Sequence, residues 1–211
     1  MEIKIGDIEF TYNLDFSPKD HLYSVHGDPI PSVTTILTCE YPIPEFVKNR
    51  DEFSMACEFG KAVHEATECD DLGKDRPIEI IGGVYDAADL IKAYNEEHEV
   101  KVLAVEIPVY SSEWWYAGTI DRINEVNFSH MCRPLRLVVD YKTSELGIKG
   151  KIQIAAYILA LEELGVEVDG GMLLSVRNGE IKTAMVKPDH FKRWEKIMRD
   201  YNMGVYNVEE I

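Results

Sequence analysis

One apolar segment limits what this chain can become. Leu135-Arg136-Leu137-Val138-Val139-Asp140-Tyr141 is a nearly unbroken hydrophobic run, interrupted only by Arg136 and Asp140, and reads as a strand buried on both faces. A carboxylate left unpaired beside Val138 and Val139 would cost roughly several kcal/mol, so a cation or hydrogen-bond donors must meet it. Side-chain alternation puts Asp140 and Lys142 on one face, with the Tyr141 carbonyl between them at the strand edge. A second strand, Ala117-Gly118-Thr119-Ile120-Asp121-Arg122-Ile123, carries another acid. Were it a neighbour, Asp121 and Asp140 would make an oxygen-rich pocket suited to Mg²⁺ or Mn²⁺, which take carboxylate, carbonyl and water ligands. For an Asp-x-Lys pattern alone, a structural ion pair at a strand end is the commoner explanation.

The order of the surrounding motifs shifts that balance. Gly60-Lys61-Ala62-Val63-His64 falls in a helical stretch, Glu106 interrupts the strand Ala104-Val105-Glu106-Ile107-Pro108-Val109-Tyr110, and Gly118-Thr119-Ile120-Asp121 comes next. Val139-Asp140-Tyr141-Lys142-Thr143-Ser144 follows, and Gln153 and Tyr157 lie four apart on the next helix. Each is weak alone, but in this order, over roughly half of the chain, they are far more specific. The chain thereby resembles the PD-(D/E)XK nuclease superfamily, in its RecB-like, lambda-type phage exonuclease branch. Asp140 stands where many members carry Glu, which shortens the reach of the carboxylate.

The resemblance implies an α/β (α+β) fold: a central mixed sheet flanked by helices, a restriction-endonuclease-like core with an N-terminal hairpin and helical additions. It implies a DNA exonuclease dependent on Mg²⁺ or Mn²⁺, in phage or bacterial recombination, repair or processing. Asp121, Asp140, Lys142, Glu106 and His64 would be catalytic; His64, Asp121, Asp140, Glu106 and the Tyr141 carbonyl would hold the metal. Gln153 and Tyr157 would contact the scissile phosphate or its sugar, with Lys149 and Lys151 beside them. Expected partners are DNA, single- or double-stranded and at its ends, with a homo-oligomer or a recombination protein as further partners. Some relatives bind an iron–sulfur cluster through clustered C-terminal cysteines. Here no cysteine follows Cys132, so no cluster is expected.

Length suits one domain over 1–211: a hairpin and short helix over 1–45, a helical segment over 46–99, and the catalytic sheet with a C-terminal helix over 100–211. Cys39, Cys57, Cys69 and Cys132 lack the spacing of a zinc site or a disulfide framework. No apolar run approaches the roughly 20 residues of a membrane span. The start of the chain lacks the basic-then-apolar pattern of a leader, so a cytoplasmic location, in a bacterial or phage-infected cell, is expected.

Charge opposes the nuclease reading. The chain has 38 acidic against 22 basic residues, a net −16, whereas nucleic-acid binders usually owe affinity to basic surface. Three explanations stay open: an acidic exterior around a basic channel, an acidic surface that mimics a partner, or weak substrate affinity. Lys142, Lys149 and Lys151 form one local exception, and Lys187, Lys192, Arg193, Lys196 and Arg199 another.

In chain order, alternation predicts a strand over Ile3 to Tyr12 and another over His21 to Ile30, turning at Gly27-Asp28. Ser32 caps a short helix carrying Ile36 and Leu37 inward. Pro42 and Pro44 precede a helix over about Glu45 to Glu68, in which Gly60 suggests close approach of another backbone and His64 points at whatever lies there. A loop over Asp70 to Gly83, a helix over Val84 to Glu99 and a strand over Val100 to Tyr110 follow, with Pro108 marking an edge or irregularity. Trp114 and Trp115 either pack the core, which is favoured, or stack on bases. Asn124 to Pro134 forms a connection, Lys149 to Leu164 a helix, and Asn178-Gly179 turns the last hairpin, Met172 to Arg177 with Ile181 to Lys187. Pro188 opens a terminal helix with Phe191, Trp194, Ile197 and Met198 inward, and the tail from Gly204 to Ile211 is expected to be loosely ordered.

Alternative functions are an endonuclease of the same superfamily, a catalytically idle DNA- or partner-binding module of that fold, and a structural carboxylate-rich metal protein.

Overall fold

The computed structural model describes residues 2–17 and 22–206. Its centre is a mixed five-stranded sheet ordered β10-β9-β8-β7-β6, formed by β6 (Lys101–Ser111), β7 (Tyr116–Val126), β8 (Leu135–Lys142), β9 (Gly170–Arg177) and β10 (Glu180–Met185). Only β8 and β9 are parallel, and α5 (Ile148–Glu163) makes the crossover between them. The apolar run therefore occupies the middle of the sheet, where a strand buried on both faces belongs. Alternation divides it cleanly. Val138 and Leu173 pack towards α5 and α6 (Pro188–Asn202), while Leu137, Val139, Tyr141, Met172 and Leu174 pack towards α3 (Asp51–Asp71) and α4 (Val84–Glu97).

The N-terminal part differs from the expectation. The stretch read as one strand is a hairpin, β1 (Glu2–Ile5) with β2 (Ile8–Thr11), because Gly6 takes a left-handed φ of 59° and reverses the chain. A three-stranded sheet follows, from β3 (Asp15–Ser17), β4 (Leu22–Val25) and β5 (Asp28–Ile30), turning at His26-Gly27, one residue earlier than predicted. His21 and the tail beyond Tyr206 lie outside the described residues. Both small sheets attach to the main one: the Gly6 amide bonds the Leu103 carbonyl, and the Ala117 amide bonds the Pro31 carbonyl.

Ser32 caps α1 (Val33–Glu40) by accepting from the Thr35 amide, as its position implied. The long helix predicted from Glu45 is broken. A single turn, α2 (Glu45–Lys48), ends before Arg50, whose extended backbone separates it from α3. Asn49, the C-cap of α2, is the one local stop signal there, and the helical periodicity ran through it. Asn178 and Gly179 take φ values of 53° and 74°, the doubly positive turn that their sequence demands. Gly171 has a different job. A methyl group there would lie 2.3 Å from Ile154 Cγ2 and 3.0 Å from Val186 Cγ2, so α5 can sit on β9 only where no Cβ exists.

Among the described residues no helix is long and apolar enough to cross a membrane. We predict that Gly171→Ala destabilises the protein by about 1–3 kcal/mol through overpacking. Urea denaturation checks this; an unchanged midpoint would show that α5 rides over the added methyl freely.

Candidate functional site

At the C-terminal end of β8, three parts of the chain meet. Asp140 is 2% exposed, and Lys142 Nζ donates to its Oδ1 at 2.9 Å while lying 2.8 Å from Oδ2. The strand-face argument from the sequence therefore places both correctly. Asp121, on the adjacent β7, approaches the same spot. His64, from α3, sets Nδ1 3.3 Å from Asp121 Oδ2 and Nε2 2.5 Å from the Tyr141 carbonyl oxygen. Asp121, Asp140, Lys142, His64 and the Tyr141 carbonyl thus form one cluster.

Electrostatics in this cluster are unbalanced. Burial raises the Asp140 carboxyl above its ordinary range; Lys142 opposes that rise and Asp121 adds to it. Burial works against the Lys142 ammonium, but Asp140 and then Asp121 outweigh it and hold its pKa above the ordinary value. Burial lowers His64, with Asp121 only partly restoring it, which favours a neutral imidazole. Two carboxylates therefore face one ammonium. The Oδ2 atoms of both Asp121 and Asp140 are buried without a well-oriented hydrogen bond, although His64 Nδ1 and Lys142 Nζ lie close to them.

This donor set has the chemistry a hard divalent cation takes: two carboxylates, a carbonyl and an imidazole. It is not a ready-made cage. Among the described residues no three His, Cys, Asp or Glu side chains gather as ligands around one point, and the Lys142 ammonium stands 2.8 Å from Asp140 Oδ2.

Glu106 lies opposite Asp121, between the paired positions Val105–Arg122 and Ile107–Ile120. Its backbone is left-handed, φ 50°, a conformation that costs a non-glycine residue on the order of 1 kcal/mol and is found disproportionately at functional sites. Though its side chain reaches solvent, surrounding protein and then the charges of Asp121 and Glu68 push its carboxyl up to about 7. Glu106 therefore joins the margin of the cluster. Pro108 is on an edge strand, as its missing N–H requires.

Gln153 donates to the Tyr157 hydroxyl at 2.9 Å. Tyr157 is buried against Gly118, where an added methyl would come within 2.5 Å of the ring. Burial raises its hydroxyl well above the ordinary value, and Asp121 and Asp140 contribute, so the pair looks back at the carboxylates as the four-residue spacing suggested. Gly60 clears space for the Thr143 side chain, whose Oγ1 would be 3.2 Å from a methyl there, rather than for a backbone. Lys149 and Lys151 separate. Lys149 Nζ reaches Thr38 Oγ1 at 3.3 Å, whereas the charge of Lys151 is felt by His190 on α6, since two residues on a helix point about 200° apart. Lys151 is therefore not at the cluster.

Trp114 packs against the core and Trp115 is exposed in the β6–β7 turn. Tyr116 and Asp121 are five residues apart, about 16 Å of strand, so that turn lies away from the carboxylates. Most of the C-terminal basic residues are paired with acids: Lys192 with Asp189, Arg193 with Glu40, Lys196 with Asp200 and Arg199 with Glu195.

Arg122 escaped the sequence reading. Its side chain is fully buried, with Nε donating to Asp71 at 2.6 Å, Nη2 donating to Thr67 at 2.9 Å, and its guanidinium 4.6 Å from the Tyr141 ring centre. The nearby Tyr141 hydroxyl accepts from Asn95 at 3.2 Å. Tyr23 of β4 was also missed; its hydroxyl shares a 2.8 Å hydrogen bond with Thr119, two residues before Asp121. Position 119 could have been found by alternation from Asp121, but nothing local marks Tyr23.

No family model matches the chain, and no curated protein matches it. Among solved structures, the crystal structure of SSO0001 aligns with 84% of this chain and 76% of that one, at 15% sequence identity and a TM-score of 0.39. A likeness of that degree carries no functional argument.

Two stability outcomes follow from the buried charges. Asp71→Ala strands the Arg122 guanidinium and should cost about 3–5 kcal/mol, whereas adding Arg122→Met should recover much of the loss; denaturation of both variants measures the difference. For Glu106, a raised pKa means that the folded state holds a proton the unfolded state has already released. Stability is therefore lost as pH rises from about 4.5 to about 7. Glu106→Gln should match wild type at pH 4.5 and exceed it at pH 8, by less than about 1 kcal/mol given solvent screening. Equal midpoints at pH 8 would remove the charge conflict.

Proposed function

We propose that this chain hydrolyses phosphodiester bonds in DNA with Mg²⁺ or Mn²⁺, acting on ends as an exonuclease of the PD-(D/E)XK kind. One observation carries the reading: Asp121, Asp140, the Tyr141 carbonyl, His64 and Lys142 converge on one buried, negatively unbalanced point from two strands and a helix. The resemblance of the five motifs supports it.

Asp121, Asp140 and the Tyr141 carbonyl would hold the ion, with His64 and Glu106 at its margin. When bound, the ion supplies positive charge to the phosphoryl group and lowers the pKa of an attacking water. Lys142, charged and tethered by Asp140, would stabilise negative charge growing on the phosphoryl oxygens and orient the water for in-line attack. An ammonium whose pKa is raised acts electrostatically rather than as a base. Gln153 and Tyr157 would position the substrate from the adjoining helix, and Tyr157, braced against Gly118, does so from a fixed ring.

A second reading is an idle binding module of the same fold. It is favoured by the net charge of −16 and by the Lys142 ammonium already bound to Asp140.

The test is a nuclease assay on linear, nicked and covalently closed DNA, titrated with Mg²⁺ and Mn²⁺. Degradation of linear DNA with closed circles spared is expected. Asp121→Asn and Lys142→Ala should each lose on the order of 10²–10³ in kcat. Cutting of closed circles makes it an endonuclease; DNA binding without cleavage under either ion leaves the idle module. Near-wild-type turnover by Lys142→Ala removes that residue from the mechanism.

A further inference from the structure

Ile78 and Ile80 are 88% and 91% exposed, more than any other large apolar side chain among the described residues. The loop that carries them is nevertheless held in place. Arg76 donates to both carboxylate oxygens of Asp70, at 2.8 and 2.6 Å, and pairs with Asp89 at 2.8 Å. The Tyr85 hydroxyl donates to the Pro77 carbonyl, and the Tyr85 amide donates to Glu79 Oε1 at 3.0 Å. Anchors at 76, 77 and 79 thus hold both isoleucines in fixed outward positions. Both line a cavity of about 290 Å³ together with Ala62 and Ala66 of α3 and Val84 of α4. The surface continues along α3. Met55, 66% exposed, lies about two turns before Ala62 and so on the same face, and from Asp51 to Glu58 only Phe53 is not exposed. Single exposed apolar residues are ordinary, but a group of them on a tethered loop and an unpacked helix end marks an interaction surface. Its charged lining has one sign. Glu58, Glu65 and Glu79 line the same cavity and no lysine or arginine does, while Arg76, the base of the loop, is taken by Asp70 and Asp89.

We propose that this surface docks a partner protein through a segment whose apolar side chains are flanked by lysine or arginine. The apolar side chains cover Ile78, Ile80 and Met55, and the flanking cations meet Glu58, Glu65 and Glu79. Charge decides between occupants. A second copy placed here about a two-fold axis sets the three carboxylates against their own images, and an anionic membrane surface is repelled in the same way. A basic segment gains from apolar contact and from charge together. Ala62 and His64 are two residues apart on α3 and hence about 200° apart around it, so the occupant leaves the carboxylate cluster open. Docking here is independent of the phosphodiester reading, and loss of either leaves the other standing.

The experiment selects a random peptide display library on the full chain and counter-selects it on Ile78→Ser/Ile80→Ser. That variant keeps the net charge of −16, so counter-selection removes peptides drawn by charge alone. Enriched peptides should combine apolar residues with Lys or Arg, and fluorescence anisotropy should show them binding the variant about 10-fold or more weakly. Glu58→Gln/Glu65→Gln should weaken them by about 3- to 10-fold. No enrichment over the counter-selection, or enriched peptides without a basic bias, overturns the docking surface. Two further results assign it to another occupant and overturn it equally. One is sedimentation of wild type as a dimer where Ile78→Ser/Ile80→Ser is a monomer, which points to a second copy; the other is flotation of wild type, but not the variant, with phosphatidylcholine vesicles. Circular dichroism and urea midpoints matching wild type, as expected for substitutions at exposed positions, exclude misfolding as the source of the loss.

Discussion

A carboxylate in the middle of a doubly buried strand sets the terms for the rest of this molecule. Asp140 sits between Val139 and Tyr141 in a strand hydrogen-bonded on both sides, where an uncompensated charge would not survive. Lys142, two positions along, supplies an ammonium on the same face. That pairing alone would be a neutral, self-contained strand end. Asp121 spoils the neutrality, and His64, held neutral by burial, cannot restore it. One negative charge is in excess there, and either a proton held by Asp140, whose pKa burial and Asp121 raise, or an additional cation relieves it.

The fold keeps this arrangement by using the two faces of each strand differently. Asp121 and Arg122 are neighbours, as are Asp140 and Tyr141; the acids serve the cluster while Arg122 and Tyr141 turn to the other face and meet there, guanidinium over ring. Arg122 also fixes α3 through Asp71 and Thr67, and the Thr67 hydroxyl donates to the His64 carbonyl. The position of the imidazole is thus set from behind the sheet. Alternation with period two lets one pair of strands carry both the polar cluster and the side chains that brace it.

Where the sequence was informative, a short-range rule applied. The β8 run, the Asp140–Lys142 face, the Ser32 cap, the Asn178-Gly179 turn and the α5 helix were legible because spacing or a single side chain decides them. The convergence of His64 and Asp121 was reachable only through the order of motifs, since 57 residues separate them in the chain. Arg122 was invisible because a charged residue on a strand reads as solvent-facing, and its burial depends on Asp71 at the end of a helix. Lys149 and Lys151 were read as a pair by nearness in sequence; helical geometry sends them to different neighbours. The break at Asn49-Arg50 and the extra N-terminal strands are tertiary outcomes with weak local signals.

The net charge of −16 and a polyanionic substrate are compatible only if the sign of the potential changes with distance. Beyond about 8 Å in physiological salt the acidic exterior is largely screened; within that range the local groups decide. Local groups near the cluster are sorted. The lysines and arginines of α6 are largely spent on Glu40, Glu195, Asp189 and Asp200, while Lys142 is held by Asp140. If the chain acts on DNA as proposed, it gains nothing from long-range steering and binds at contact, through the Lys142 ammonium and a bound cation.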